Sequence, residues 1–302
     1  MAALFAATAL AAPLRQDDAS GPHRTVKDET GRQVELPATI RRVVSLAPNL
    51  TEIMFALGAE DRLVGVTSYS DFPPEAQKIK GVGLPLGPSL EAIVALKPDL
   101  VIATPTANRI DTVHALEKLG IPVYGTDPHT VEDTIHSIVH VAEVLGVESK
   151  GQHLAGQLQA RLDALHARLA NEPPRRVLFV VWEEPLISIG QHTFITDALR
   201  WAGAESVVNA KQDWPVLSLE EVVRLKPDAL VFAASHGESS AEEIAGLRER
   251  LQWREIPAVR EGRAAAVSDA IERPAPRLVD AIEELAHQLH PAAFADEKAG
   301  PK

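Results

Sequence analysis

The sequence predicts an α/β protein of two pseudo-symmetric α/β lobes with mostly parallel sheets, joined by one long backbone helix. Three observations carry this. Short apolar runs alternate with helical stretches on both sides of a central leucine stripe, the pattern of buried parallel strands and their crossover helices. The stripe itself, Leu154, Leu158, Leu162, Leu165 and Leu169, recurs at steps of 4, 4, 3 and 4 and stops at Glu172-Pro173-Pro174, so it reads as a single helix. Finally, Ser89 to Asp99 (SLEAIVALKPD) and Ser218 to Asp228 (SLEEVVRLKPD) lie 129 positions apart and agree at eight of eleven positions. One copy falls on each side of the stripe, and the spacing is too long for a solenoid repeat.

Composition sets the outer limits. With 302 residues, 45% hydrophobic and 24% charged, the chain is long enough for two cores of ordinary size. Its formal net charge of −12 and its lack of any Lys/Arg-rich run argue against nucleic-acid binding, which needs a basic surface. Cysteine is absent, which excludes disulfides, thiolate metal sites, a cysteine nucleophile and a lipid anchor attached through cysteine.

Along the chain, Met1 to Ala12 is an apolar stretch containing Ala9-Leu10-Ala11, read as a possible export signal and too short to span a bilayer. Residues 13–23 are polar and turn-rich, a linker. The N-terminal lobe is expected over 24–146. It opens with a hairpin, Arg24-Thr25-Val26-Lys27 and Gln33-Val34-Glu35-Leu36 around a Gly31 turn. Arg42 to Leu46, Leu63 to Val66, Leu100 to Ala103 and Pro122 to Gly125 follow as buried strands, with a helix from Thr51 to Leu57 ended by Gly58. The backbone helix occupies 147–173 and the C-terminal lobe 174–291, with strands at Arg176 to Val181, Ala229 to Phe232 and Ala264 to Val267 and a helix from Ile195 to Ala202. Residues 292–302 form a flexible tail.

Within the repeat, Ser89 and Ser218 are helix N-caps and each Lys-Pro-Asp turns the chain into the next strand. Caps and turns do not explain why an acid stands at the same place in both copies, Glu91 and Glu220, since only Ser218 with Glu221 has capping-box spacing.

Other chemistry is thinly supported. His136 and His140 are one helical turn apart but lack an HExxH context, and the same segment supplies a buried stripe. Gly81 to Gly87 lacks the Gly-Lys-Ser/Thr ending of a phosphate loop. Ser235, His236 and Glu238 are sequence neighbours, an arrangement that rarely forms a triad, and no Gly-x-Ser-x-Gly elbow is present. The chain therefore does not read as an enzyme.

Four segments carry a family resemblance: Val66 to Ile79 (VTSYSDFPPEAQKI), both Leu-Lys-Pro-Asp runs, Asp213-Trp214-Pro215, and Asp269 to Arg277 (DAIERPAPR). Over about residues 24 to 290 the chain resembles the periplasmic binding proteins of the iron-siderophore, haem and vitamin B12 type, nearest their vitamin B12-binding members. The resemblance implies a monomeric, exported carrier with no cofactor of its own. It would take a corrinoid into the inter-lobe cleft, with haem or a ferric siderophore as alternatives, and deliver it to an ABC transporter permease dimer. It places Asn49, Tyr69, Trp214 and the loop Asp269, Ala270, Ile271, Glu272 and Arg273 at the ligand, and Glu91 and Glu220 at the permease. Flat aromatic faces suit a macrocycle, and polar groups such as Asp269 and Arg273 suit its peripheral amides. Two cleft tryptophans of the vitamin B12-binding members fall here on Pro85 and Thr104, and a further aromatic falls on Val181. Trp182 substitutes for the last only by lying beyond its strand, because adjacent strand residues face opposite ways. A long helix between lobes also implies modest closure and a largely pre-formed cleft.

Overall fold

The computed structural model describes residues 23–234, 240–250 and 253–295. The expected export signal, most of the linker, the Ser235-His236-Glu238 group and the end of the tail lie outside the described residues. Among the described residues, no helix is long and apolar enough to cross a membrane.

The N-terminal lobe starts with the antiparallel hairpin β1 (His23–Lys27) and β2 (Gln33–Pro37). Its turn is held by Asp28, whose carboxylate accepts from Arg32 N at 2.8 Å, Thr30 Oγ1 at 2.8 Å and Gly125 N at 3.1 Å. The rest alternates as the apolar runs require. β3 (Val43–Ser45), α1 (Pro48–Ala56) and β4 (Leu63–Val66) come first. A tiny ribbon of β5 (Gly83–Leu84) and β6 (Gly87–Pro88) follows, then α2 (Leu90–Ala95), β7 (Leu100–Ala103), α3 (Ile110–Lys118), β8 (Val123–Gly125) and α4 (Val131–Leu145). Gly81 to Gly87, which fails as a phosphate loop by sequence, forms most of this ribbon.

Gly146 takes the left-handed conformation (φ 70°) that lets the chain reverse from α4 into α5 (Glu148–Leu169). At 22 residues α5 is about 33 Å long. Leu158, Leu162, Leu165 and Leu169 are buried along it, and a Cβ at Gly151 would run into Ala142, so the two helices pack at close range there.

The C-terminal lobe continues with β9 (Arg175–Val180), a second small ribbon of β10 (Trp182–Glu183) and β11 (Leu186–Ile187), α6 (Phe194–Trp201), β12 (Ala204–Ser206) and α7 (Leu219–Leu225). It ends with β13 (Ala229–Ala234), α8 (Ser240–Glu249), α9 (Pro257–Glu261), β14 (Ala264–Ser268) and α10 (Leu278–Leu289).

Each lobe has a four-stranded, all-parallel sheet, ordered β4-β3-β7-β8 and β12-β9-β13-β14. Counted from the start of each sheet the order is the same, second-first-third-fourth, so the lobes share a topology. The repeat marks equivalent joints. Ser89 Oγ accepts from Ala92 N and Ser218 Oγ from Glu221 N, both at 3.1 Å. Lys97 and Lys226 both adopt positive φ, 47° and 50°. Behind them Arg42 donates to the carbonyls of Leu96 (2.6 Å) and Lys97 (3.1 Å), while Arg176 donates to Leu225 (2.8 Å) and Lys226 (3.2 Å). Each arginine thus caps the C-terminus of its repeat helix. Ser218 does not complete the reciprocal bond of a capping box: Glu221 turns toward Arg224, 3.9 Å away.

Strand alternation divides the core. Val43 and Leu100 on one sheet, and Val177 and Phe179 on the other, point into one continuous core with Ile53, Leu158, Leu162, Ile195, Ile282 and Leu285. The intervening residues, Val44 and Val101 or Leu178 and Leu230, face two smaller outer clusters. The lobes are therefore fused through a common interior. A further tie crosses between them where Asp197 Oδ2 on α6 accepts from Val131 N at the start of α4, 2.9 Å away.

Candidate functional site

In open parallel sheets a ligand crevice lies beyond the carboxyl ends of the strands, where the strand order reverses. Here that point falls between β3 and β7 in one lobe and between β9 and β13 in the other. The loops leaving these ends carry most of the residues expected at the ligand.

In the N-terminal lobe a buried hydroxyl relay fixes the loop after β4. Thr51 Oγ1 donates to Ser45 Oγ at 2.9 Å and lies 3.0 Å from Ser70 Oγ, which is 3.2 Å from Thr67 Oγ1. With its neighbours Thr67 and Ser70 held inside, Tyr69 is turned out and is 60% exposed. Ser68 N donates to Gly83 O at 2.9 Å, which sets the small β5/β6 ribbon beside it. Pro85 is buried there, but Leu84 and Leu86 on either side are exposed. An aliphatic pair thus flanks one of the two positions that lack tryptophan. Buried Asn108 joins the loops: Oδ1 accepts from Thr104 N at 2.9 Å, and Nδ2 donates to Leu46 O at 2.8 Å and Pro85 O at 3.0 Å.

In the C-terminal lobe β9 ends at Val180, so Trp182 does lie past the strand. It pairs with Ile187 across the β10/β11 ribbon, and Ile187 bridges in turn to Val216. Directly opposed residues share a face of an antiparallel ribbon, and Trp214 stands in the bend two positions before Val216. Trp182, Ile187 and Val216 therefore share one apolar face, a platform with Trp214 at the bend leading into it; Trp182 is 62% and Trp214 50% exposed. The other face, Leu186 and Leu217, is buried. The platform's outer strand is held by Gly190 N to Asp213 O (2.9 Å) and Ser188 N to Pro215 O (3.0 Å).

The two lobes meet through charge. Glu52 on α1 has a side chain only 2% exposed, and its Oε1 accepts from Arg273 Nη1 at 3.1 Å and Arg277 Nη2 at 2.8 Å. Its Oε2 accepts from Arg277 Nε at 2.9 Å. Arg273 also reaches Asp71 (2.7 Å) and Asp269 (2.8 Å), and Arg277 lies 3.7 Å above the Phe72 ring. Burial works to raise the Asp71 carboxyl, but the bond and charge of Arg273, helped by Arg277, hold it below its usual value. Both guanidiniums are pushed upward because these carboxylates outweigh the loss of solvent. Glu272 is exposed, yet the protein atoms around it strip enough water to raise its carboxyl, and Asp269 adds to this against Arg273.

Several expectations change in this light. Arg273 reaches the cleft already committed to three carboxylates, so it acts as a tie between lobes rather than a free donor. Ala270 and Ile271 are 1% and 0% exposed and belong to the shared core, so their side chains anchor the loop instead of facing a ligand. Asn49 is buried and donates from Nδ2 to Pro274 O at 3.4 Å, a second bond across the lobe boundary. Glu52, Asn108, Leu84, Leu86 and Val216 carry no motif and escape the sequence. Only their places after strand ends point to them.

Away from the cleft, Glu91 and Glu220 are both exposed in the first turns of α2 and α7. Glu91 Oε2 accepts from Ser89 Oγ at 3.0 Å; a backbone amide, then this bond, lower its carboxyl. His140 Nδ1 lies 3.1 Å from Glu29 Oε1, with His136 6.4 Å from it between ring centroids. Among the described residues no group of three His, Cys, Asp or Glu side chains is placed to hold a metal ion.

Gly190 supplies a direct check on the platform, because a Cβ there would collide with the backbone carbonyl of Gln212. Gly190→Ala is expected to destabilise the protein by about 1–3 kcal/mol, as overpacking does, and to displace Trp214. Denaturant unfolding with tryptophan fluorescence measures both.

The periplasmic binding protein family profile matches residues 43–269. A vitamin B12-binding protein of Vibrio parahaemolyticus is 34% identical over 249 residues, covering 82% of this chain and 88% of its own. The crystal structure of the periplasmic vitamin B12 binding protein BtuF of Vibrio cholerae superposes with a TM-score of 0.73 at 28% identity, over 84% of this chain and 98% of that one. The apo periplasmic heme-binding protein RhuT of Roseiflexus sp. RS-1 gives 0.75 at 29% identity, over 84% and 99%. With three quarters of its length inside the family profile and two like-ordered parallel sheets, the chain belongs to the periplasmic binding protein family.

Proposed function

We propose that this chain is the exported solute-binding component of an ABC importer, a monomer without enzymatic activity that holds a corrinoid of the vitamin B12 type in the inter-lobe cleft. The observation that carries the reading is the exposed apolar surface of Trp182, Val216 and Trp214 on one lobe, matched by exposed Tyr69, Leu84 and Leu86 on the other. Large flat apolar side chains left in water at the mouth of a crevice are costly unless a ligand covers them. Asp269 and Glu272, on the loop after β14, offer carboxylate acceptors for the amide N–H groups that fringe a corrinoid. The vitamin B12-binding relatives support the same class.

Haem is the second reading, favoured by the heme-binding structural neighbour and by Pro85 and Thr104 where the vitamin B12-binding members place tryptophan. A ferric siderophore is the remaining alternative from the same fold. Calorimetric titration with cyanocobalamin, haemin and a ferric siderophore separates them. Saturable binding of cyanocobalamin in the micromolar range or tighter is expected; tight binding of haemin or the siderophore without cyanocobalamin would replace the corrinoid.

Delivery to the permease dimer rests on Glu91 and Glu220. Both are exposed at equivalent turns of related lobes, so they suit two symmetry-related basic pockets, where complementary charge sets register and encounter rate. Glu91→Ala combined with Glu220→Ala is expected to lower uptake of labelled ligand by about tenfold or more while affinity in solution stays unchanged. Uptake equal to the parent would remove this role.

A further inference from the structure

Glu52 has the geometry of a part with one task. It stands on α1 of the N-terminal lobe, is not exposed to the cleft, and spends both carboxylate oxygens on guanidiniums of the other lobe. The two arginines are four residues apart on one segment, and Arg277 grips the carboxylate through Nε and Nη2 together, the bidentate fork that fixes direction as well as distance. That segment directly follows Asp269 and Glu272, the acids proposed above for the ligand. Arg273 at the same time holds Asp71, two residues beyond Tyr69. A single buried carboxylate therefore sets the spacing between the Tyr69 loop of one lobe and the Asp269 to Arg273 loop of the other. Asn49, on the same helix, adds its bond to Pro274 O. The shared core joins the lobes behind the sheets, whereas this cluster joins them at the loops that line the cleft.

We propose that Glu52 is a positioning residue for ligand capture: without touching the ligand, it locks the two cleft-lining loops at their bound separation before the ligand arrives. The inference rests on the binding function proposed above. Its physical content is pre-organisation. Apparent affinity falls in proportion to the fraction of molecules in the competent arrangement, so loosening the loops until about a tenth remain competent weakens binding about tenfold. Without Glu52, Arg277 loses its main counter-charge beside Arg273, which Asp71 and Asp269 still hold, and the repulsion between the two guanidiniums drives the Arg277 end of the segment outward.

The absence of cysteine makes the test clean. Lys78→Cys and Glu205→Cys, at exposed positions on opposite lobes, carry spin labels for pulsed dipolar distance measurement. In the parent one narrow distance is expected, the same with and without cyanocobalamin. Glu52→Gln, which keeps the shape but removes the charge, is expected to broaden the ligand-free distance, to regain a narrow one with cyanocobalamin, and to weaken affinity about tenfold through slower association. A purely structural role would lower the melting temperature and leave the ligand-free distance narrow. Should Glu52→Gln not fold, Arg277→Lys retains the charge and loses the fork, and the same broadening is expected. A ligand-free distance as narrow as the parent's in these variants overturns the proposal. If the parent fails to bind cyanocobalamin the ligand class is wrong, and the ligand-free distances still decide the role of Glu52.

Discussion

A carboxylate from one lobe, buried against two guanidiniums from the other, is the constraint on which the cleft depends. Glu52 is removed from water, so its charge is tolerable only because Arg273 and Arg277 satisfy both oxygens. Breaking such a buried arrangement by deleting one partner costs about 3–5 kcal/mol, much of it the penalty of stranding the charges that remain. The interaction is a weak source of net stability and a strong source of specificity, because it is satisfied at one separation of the lobes. The continuous core that runs from Ile53 through Leu158 and Leu162 to Ile195 and Ile282 works in the same direction. Two lobes that share one interior have little freedom to open widely.

From that frame the proposed binding surface follows by exclusion. Thr67 and Ser70 are pulled inward by the hydroxyl relay with Ser45 and Thr51, leaving Tyr69 to the solvent side. Leu186 and Leu217 take the inner face of the second small ribbon, which leaves Trp182, Val216 and Trp214 on the outer. Neither lobe needs a special element to present aromatic surface. The second lobe uses the period of two along a short ribbon, whereas the first puts Tyr69 in a turn whose ends, Thr67 and Ser70, are held inside.

The parallel sheets were legible because buried strands write themselves as unbroken apolar runs, such as Val43-Val44 and Leu100-Val101-Ile102. The long helix was legible from its leucine step, and the kinship of the lobes from the repeat. Arg42 and Arg176, which cap the repeat helices in the same way, were not, because they stand 134 positions apart while the repeat has an offset of 129. Loops of unequal length between them break the register that makes a repeat visible. The two-residue strands β5, β6, β10 and β11 are too short to show a period, and Ala204-Glu205-Ser206 lacks the apolar run of an inner strand because it lies at a sheet edge. At the site, a family resemblance located the Asp269 to Arg273 loop but not which way its side chains point. Ala270 and Ile271 turn into the core and Arg273 is claimed by carboxylates distant in sequence, Glu52 and Asp71, whose partnership no local pattern records.

The central claim is that a corrinoid is held between these loops in a cleft that exists before it binds. Hydrogen–deuterium exchange with and without saturating cyanocobalamin tests it most directly. The account predicts new protection confined to residues 67–72, 84–87, 182–187, 213–216 and 269–273, with the core strands and the helices bearing Glu91 and Glu220 unchanged. Binding accompanied by protection elsewhere, or by wide changes through both lobes, would contradict it.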